Sequence, residues 1–374
     1  MRRVHRRGHS DQVIEKTGSK SQPNKRERQT FGEEFNQKSA DRSDSFLIQA
    51  IVLHYQRYAN LRGAPVKKLK SMILLTLALL PVPGFYASAN DQPNVLFILI
   101  DDFGWNDVGY NGSTFYETPK IDELSKEWMR FDNCYTPSPM CSPTRLSILT
   151  GKNPARHGVT QWLKGTDQAF TRKGEEPRVY CPVPQSLGIK ESETTLGEAF
   201  QQAGYDTAFY GKWHLGKLKE TGGPANHGYD SQRAIIEENR CEMFFPFRGA
   251  KYFPDAKEGD NFTDLLTDAA IDFVTAQRDQ PFYLHLCHFA MHYPIATTPK
   301  LRAKFETKAK KWGITSATAL DDYSHVPHKL QQDSPEYAGE LYNLDDNIGR
   351  LIDAIKASGQ YENTIIVFTG DNGG

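Results

Sequence analysis

Residues 94–102 read NVLFILIDD: an unbroken apolar run after Asn94, closed at once by two carboxylates. An apolar run of this length predicts a strand buried on both faces, as inside a parallel sheet. Runs at 281–287 (PFYLHLC) and 363–369 (NTIIVFT) read the same way, and 205–212 (YDTAFYGK) reads as a further strand. Helical patterns lie between them. In 118–129 (TPKIDELSKEWM), Thr118 is placed to cap, Pro119 takes the first helical position, and Ile121, Leu124 and Trp128 fall at helical spacing. A helix is expected over 143–149, ended by Gly151, and another in 194–204 (TTLGEAFQQAG). Over 336–358, Leu341, Leu344, Ile348, Leu351 and Ile355 share one helix face. Strands alternating with helices predict an α/β fold, a mostly parallel central sheet flanked by helices on both faces. Residues 165–187 and 294–335 read as mixed polar loops.

The flanks differ from this body. Residues 1–66 are rich in Arg, Lys, Glu, Gln and Ser, with little that could form a core, so no fold is expected there. Residues 67–89 have lysines, an apolar run from Met72 to about Leu80, a Pro/Gly break and Ala87-Ser88-Ala89. That is the pattern of a cleaved secretory signal peptide, and Pro81 cuts the run too short for a stable membrane span. The protein is therefore expected to be exported, to the periplasm or beyond, with residues 90–374 as its catalytic domain. A signal peptide so far from residue 1 suggests that 1–66 is an over-extended reading frame. The final NTIIVFTGDNGG reads as a buried strand cut short, hence a C-terminus that is truncated. The net charge of −1 offers nothing to nucleic acid. Five cysteines (Cys134, Cys141, Cys181, Cys241, Cys287) contain no CxxC pair. Four could pair in an oxidising compartment, which leaves Cys141 as the odd one.

In open α/β sheets, sites form beyond the carboxyl ends of the strands. Asp101 and Asp102 follow the first run, Lys212 and His214 the second, His288 and His292 the third, and Asp371 and Asn372 the last. Three carboxylates and one amide carbonyl form a hard oxygen set suited to Ca²⁺ or Mg²⁺. Taken alone, Asp101-Asp102 also fits a helix cap or a turn. Adjacent carboxylates at a buried strand end, however, repel unless a cation neutralises them. Lys212 and His214, two apart, would point to one side in extended backbone and suit an anion, or be a solvated lysine and a structural histidine. His292 alone is weak, and His227, His285 and His288 read as structural. The run ELYNLDDNIGR (340–350) reads as the solvated face of its helix rather than a second metal site.

The stretch Cys141-Ser142-Pro143-Thr144-Arg145, continued by LSILTGK, resembles the Cys-x-Pro-x-Arg signature of the sulfatase family, in the alkaline phosphatase-like superfamily. DDFGWNDVG (101–109), GKWHLG (211–216), the His-x-Pro at His292 and DNGG (371–374) match its other signatures in order, nearest to the arylsulfatase A and N-acetylgalactosamine-6-sulfatase branch. The resemblance implies that a maturation enzyme converts Cys141 to formylglycine, whose hydrate attacks the sulfur of a sulfate ester. The second hydroxyl, deprotonated by His214, then expels sulfate, a step serine could not perform. It implies a metal site of Asp101, Asp102, Asp371, Asn372 and the modified Cys141, with Ca²⁺ or Mg²⁺ bound. Arg145 would hold the hydrate, Lys212 would contact sulfate, and His292 would lie near the ester oxygen. The substrate implied is a sulfated carbohydrate or an aryl sulfate. A phosphodiesterase or phosphonate hydrolase of the same superfamily, or an inactive glycan-binding fragment, would share much of this pattern. In the family, a further lysine and a small C-terminal domain with an antiparallel sheet follow the DNG motif. The chain stops before both.

Overall fold

The computed structural model describes residues 92–163, 188–237, 241–315, 318–320, 327–329 and 331–373. Segments 1–66 and 67–89 and the loop expected at 165–187 lie outside the described residues. The elements run β1 (Asn94–Ile100), α1 (Pro119–Glu127), α2 (Cys141–Thr150), α3 (Pro154–His157), α4 (Leu196–Gln202), β2 (Asp206–Lys212), α5 (Leu218–Thr221) and β3 (Ser231–Ile236). They continue with α6 (Phe262–Thr275), β4 (Phe282–His288), α7 (Pro299–Trp312), β5 (Thr318–Leu320), β6 (Pro327–Lys329), α8 (Pro335–Ala357) and β7 (Thr364–Gly370).

Five strands form one sheet in the order β3-β2-β4-β1-β7, with every pairing parallel. Side chains alternate between its faces. Leu96, Ile98 and Ile100 of β1 join Leu284 and Leu286 of β4 under Leu266 of α6, Leu344 and Ile348 of α8, and Ile121 and Leu124 of α1. Leu99, Phe209, Tyr283 and Cys287 face the other way, against Leu146 and Leu149 of α2, with Leu196 and Phe200 of α4 beside them. The α/β reading with helices on both faces is borne out. Gly211, φ 99°, lets β2 and β4 approach closely: a Cβ there would lie 1.9 Å from the Cys287 carbonyl oxygen.

The structure differs from the sequence reading in four places. Strand β3 was not expected, since its first half, Ser231-Gln232-Arg233, is polar. Within 294–335, read as loop, Pro299–Trp312 is a helix; only Phe305 is buried in it, so no apolar stripe marks it. The last strand is not buried on both faces. It is the sheet's edge, and Ile365 and Val367 point outward at 38% and 36% exposure. Finally, α2 begins at Cys141 rather than Pro143, so Pro143 takes the third helical position, where its missing N–H costs nothing. Among the described residues, no helix is long and apolar enough to cross a membrane.

Candidate active site

The ladders of β1 run one residue past their strands. Asp101 donates its N–H to His288 O at 3.2 Å, and Asp371 donates to Ile100 O at 3.0 Å, which sets the two acids side by side at the sheet's carboxyl edge. Both are fully buried. The chain then turns sharply: Asp102 has φ 48°, a conformation rare for a residue with a side chain. Its N–H donates to Asp371 Oδ1 at 3.1 Å, and its Oδ1 accepts from Asn372 Nδ2 at 2.8 Å. Asn372 Oδ1 is buried with no partner.

Cys141 is the first residue of α2, and Arg145 lies one turn further on the same face. That is the physical content of the Cys-x-Pro-x-Arg spacing. Arg145 Nη2 donates to Asp101 Oδ1 at 3.0 Å and to Asp371 Oδ2 at 2.8 Å, while Nη1 donates to the Lys212 carbonyl at 3.0 Å. One guanidinium thus joins the ends of β1, β7 and β2. Lys212 Nζ pairs with Asp101 Oδ2 and lies 3.6 Å from the Cys141 sulfur. Ligand atoms of Asp101, Asp102 and Cys141 fall within 4.8 Å of one another. His292 Nε2 sits 3.7 Å from Asp102 Oδ2.

His214 does not follow strand alternation. The β2–β3 register shifts between Tyr210 and Lys212, and His214 itself has φ 52°, so the argument that it shares a side with Lys212 fails. Both are nevertheless buried, and Lys212, Arg145 and Asp101 all act electrostatically on the imidazole. Its Nε2 faces the Leu163 carbonyl at 3.1 Å, and its Nδ1 is buried without a partner. Burial, then the two cations, push His214 down to about 3, so it is neutral, and the same shift makes it a weak base.

Burial alone would raise Asp101, but Lys212 and Arg145 hold it below the usual carboxylate range. Burial and the adjacent Asp101 charge push Asp371 up. Burial and Asp101 push the Cys141 thiol up to about 12. A thiol so placed carries almost no thiolate at neutral pH and is a poor nucleophile as it stands.

Formal charges decide what the site can bind. With all three ionised, Asp101, Asp102 and Asp371 would outnumber Arg145 and Lys212 by one, His214 being neutral, and burial beside Asp101 opposes that ionisation at Asp371. Such a site repels an anion. A divalent cation among the acids reverses the sign, relieves the Asp101–Asp371 repulsion and gives the orphaned Asn372 oxygen a partner. The donors present, all hard oxygens apart from the Cys141 sulfur, fit Ca²⁺ or Mg²⁺.

Every residue proposed for the metal or for catalysis thus lies at this one edge. Other readings need correction. In 340–350, Glu340, Asp345 and Asn347 are buried, not solvated. Asp345 accepts from the N–H groups of Lys120 (3.0 Å) and Ile121 (2.8 Å), capping α1 from a neighbouring helix. Cys134, Cys141, Cys241 and Cys287 are all free thiols, so the expected pairing of four cysteines is not found; Cys181 lies outside the described residues. His227 stacks on Trp213 and His285 bonds to Tyr283 and Tyr229, both structural as expected. His288 is fully buried on the sheet with neither ring nitrogen partnered, and burial pushes it down to about 3.

Comparisons with known proteins agree with this geometry. A family model described as Sulfatase matches residues 93–374. N-acetylgalactosamine-6-sulfatase of Mus musculus is 30% identical over 305 residues, covering 77% of this chain and 51% of that one. A sulfatase of Formosa agariphila is 28% identical over 372 residues, covering 83% and 63%. Among solved structures, Ps i-CgsB in complex with k-i-k-neocarrahexaose superposes with a TM-score of 0.56 at 26% identity, covering 75% of this chain and 58% of that one. The chain spans about half the length of the curated relatives it matches first.

Proposed function

The chain belongs to the sulfatase family, and on that premise we propose that it contributes the catalytic centre of a sulfuric ester hydrolase. Its substrate would be a sulfated carbohydrate, its nucleophile Cys141 converted to formylglycine by a separate maturation enzyme, and its cation Ca²⁺ or Mg²⁺. The observation that carries the reading is the position of Cys141. It heads a buried helix, 3.6 Å from Lys212 Nζ and clustered with Asp101 and Asp102, yet burial and Asp101 make its thiol unreactive. A site built around a thiol that cannot ionise fits a side chain used in another chemical form.

As formylglycine, the side chain would supply a hydrated aldehyde with two hydroxyls on one carbon. Asp101, Asp102, Asp371 and Asn372 would hold the cation, which supplies Lewis-acid polarisation of a sulfate oxygen. Lys212 balances the buried charge beside the nucleophile and would contact a sulfate oxygen. His214 would take the proton of the second hydroxyl as sulfate is expelled. His292, at 16% side-chain exposure and against Asp102, would return a proton to the leaving alcohol. The positive end of α2 favours the anion. Similarity to N-acetylgalactosamine-6-sulfatases and to a structure bound to a neocarrahexaose supports a sugar as the alcohol portion. Export through the 67–89 segment would put the enzyme where sulfated polysaccharides occur.

Two measurements test this. The tryptic peptide 131–145 from the exported protein should be lighter than its thiol form and reactive to hydrazide. The protein should also turn over an aryl sulfate faster than an aryl phosphate diester. An unmodified thiol would end the formylglycine reading, and the reverse preference would favour a phosphodiesterase.

A further inference from the structure

Between β4 and α7, residues 289–298 carry His292 past the carboxyl edge of the sheet. One end of this strap is tied to the site. Met291 donates its N–H to the Asp101 carbonyl at 3.0 Å, and His292 N–H turns back onto Phe289 O at 2.9 Å. The other end lies on α8. Ala296 N–H donates to Glu340 Oε2 at 2.8 Å, and Thr297 N–H to Glu336 Oε1 at 3.0 Å. Two consecutive amides thus meet two carboxyl groups one turn apart on one helix face.

Gly339 shows how closely the strap is seated. A Cβ there would lie 2.5 Å from the Thr297 hydroxyl oxygen, so a side chain at this position would push the strap off the helix. Glycine inside a helix costs about 1 kcal/mol relative to alanine, and this one stands between the two glutamates. Glu340 and Thr297 are buried, and Glu336 is held in turn by Arg302 Nη2 at 2.7 Å.

The path of the strap reaches the imidazole through a carbonyl. His292 Nδ1 lies 2.7 Å from Tyr293 O. A carbonyl only accepts, so Nδ1 carries a hydrogen and donates it. That leaves Nε2, 3.7 Å from Asp102 Oδ2, as the nitrogen that exchanges a proton. Where the backbone carries the Tyr293 carbonyl, the ring follows, and Glu340 holds the amide three residues further on. Among the described residues, neither glutamate bonds to a group of the catalytic cluster, so their influence on it passes through the strap.

We propose that Glu336 and Glu340 are positioning residues for His292: they anchor the strap on α8 and so fix the ring that returns a proton to the leaving alcohol. The anchoring stands on geometry alone; its effect on turnover rests on the sulfatase reading.

The test compares the full-length matured protein with the double variants Glu336→Ala/Glu340→Ala and Glu336→Gln/Glu340→Gln and with His292→Ala. The readout is kcat/KM on aryl sulfates from 4-nitrophenyl to 4-methoxyphenyl sulfate, because a proton donor matters more as the leaving phenol becomes a weaker acid. The double alanine variant should lose about 10-fold on 4-methoxyphenyl sulfate and less than about twofold on 4-nitrophenyl sulfate, with His292→Ala steeper in the same sense. The double glutamine variant keeps both acceptors and should recover most of the rate. Adding both alanines to His292→Ala should cost nothing further. In amide hydrogen exchange, Ala296 and Thr297 should lose protection in the alanine variant and keep it in the glutamine variant. Glu336→Ala alone, at a residue only partly buried, should give the same pattern in weaker form if the double variant fails to fold. A loss equal across the series, no loss at all, or unchanged exchange overturns the proposal. If the unaltered protein cleaves no aryl sulfate, the proposed function fails, and the exchange still decides whether the glutamates hold the strap.

Discussion

Arg145 Nη2 lies 2.8 Å from Asp371 Oδ2, a residue 226 positions further along the chain, and both are buried. The same nitrogen holds Asp101, so one cation separates two acids that would otherwise repel. Removing one member of a buried charge set leaves the others uncompensated, typically at about 3–5 kcal/mol. Arg145→Ala is therefore expected to lose several kcal/mol in urea unfolding and all measurable turnover. Arg145→Lys should regain part of the stability but little activity, because a single ammonium cannot span two acids and the Lys212 carbonyl.

Which parts of this arrangement were legible in the sequence follows from what each part depends on. The acids at 101–102 and 371–372 were found because strand ends are marked by where apolar runs stop. Their direct partner Arg145 was found only as a motif member. Its bridge to Asp371 depends on β7 lying beside β1, a strand order that no local pattern carries. The burial of Glu340 and Asp345 was misread for a related reason. A carboxylate on a helix looks solvated until another element supplies the N–H groups that it accepts from. Helix α7 escaped notice because a helix with one buried residue has no stripe to detect.

The clustered acids, Asp371 held back from ionising beside Asp101, make stability depend on a divalent cation. Chelation is expected to abolish turnover and lower the melting temperature, and added Ca²⁺ to restore both. At 100 times its dissociation constant a bound ion contributes about 2.7 kcal/mol. Asp102→Ala should blunt this response, and calorimetry with and without chelator reads it directly. A melting temperature indifferent to chelator and cation would remove the metal from the reading.

Cys141 and Cys134 should part company under alkylation. Cys134 is exposed, whereas Cys141 is pushed up to about 12 by burial and Asp101, so native protein at pH 7.5 treated briefly with iodoacetamide should be labelled at Cys134 and not at any Cys141 still present as thiol. Peptide mapping checks this, and equal labelling of the two would contradict the burial of Cys141.

Glu340 predicts a pH effect away from the chemistry. It is buried, one oxygen accepts from Ala296 N–H at 2.8 Å, and the other has no partner. Burial raises its carboxyl to about 8 from an ordinary 4.5. Between those values the unfolded chain gives up a proton that the folded chain retains, so this group costs stability as pH rises from about 4.5 to about 8. Glu340→Gln should therefore stabilise the protein by a few kcal/mol at pH 7–8 and hardly at all near pH 4. Unfolding curves at the two pH values give the comparison. An equal effect at both would mean Glu340 is ionised in the folded state.

The hydrogen bond between the Asp102 amide and Asp371 closes a loop of 269 residues. At the pace of synthesis, 5–20 residues per second, the chain carries its first acids for roughly a quarter of a minute to a minute before the last ones emerge. Through that interval β1 lacks its outer neighbour and Arg145 has only one of its two carboxylates. The charge cluster around Cys141 is complete only when Asp371 has joined it. The order of manufacture thus sets a clock on the charge felt by that thiol.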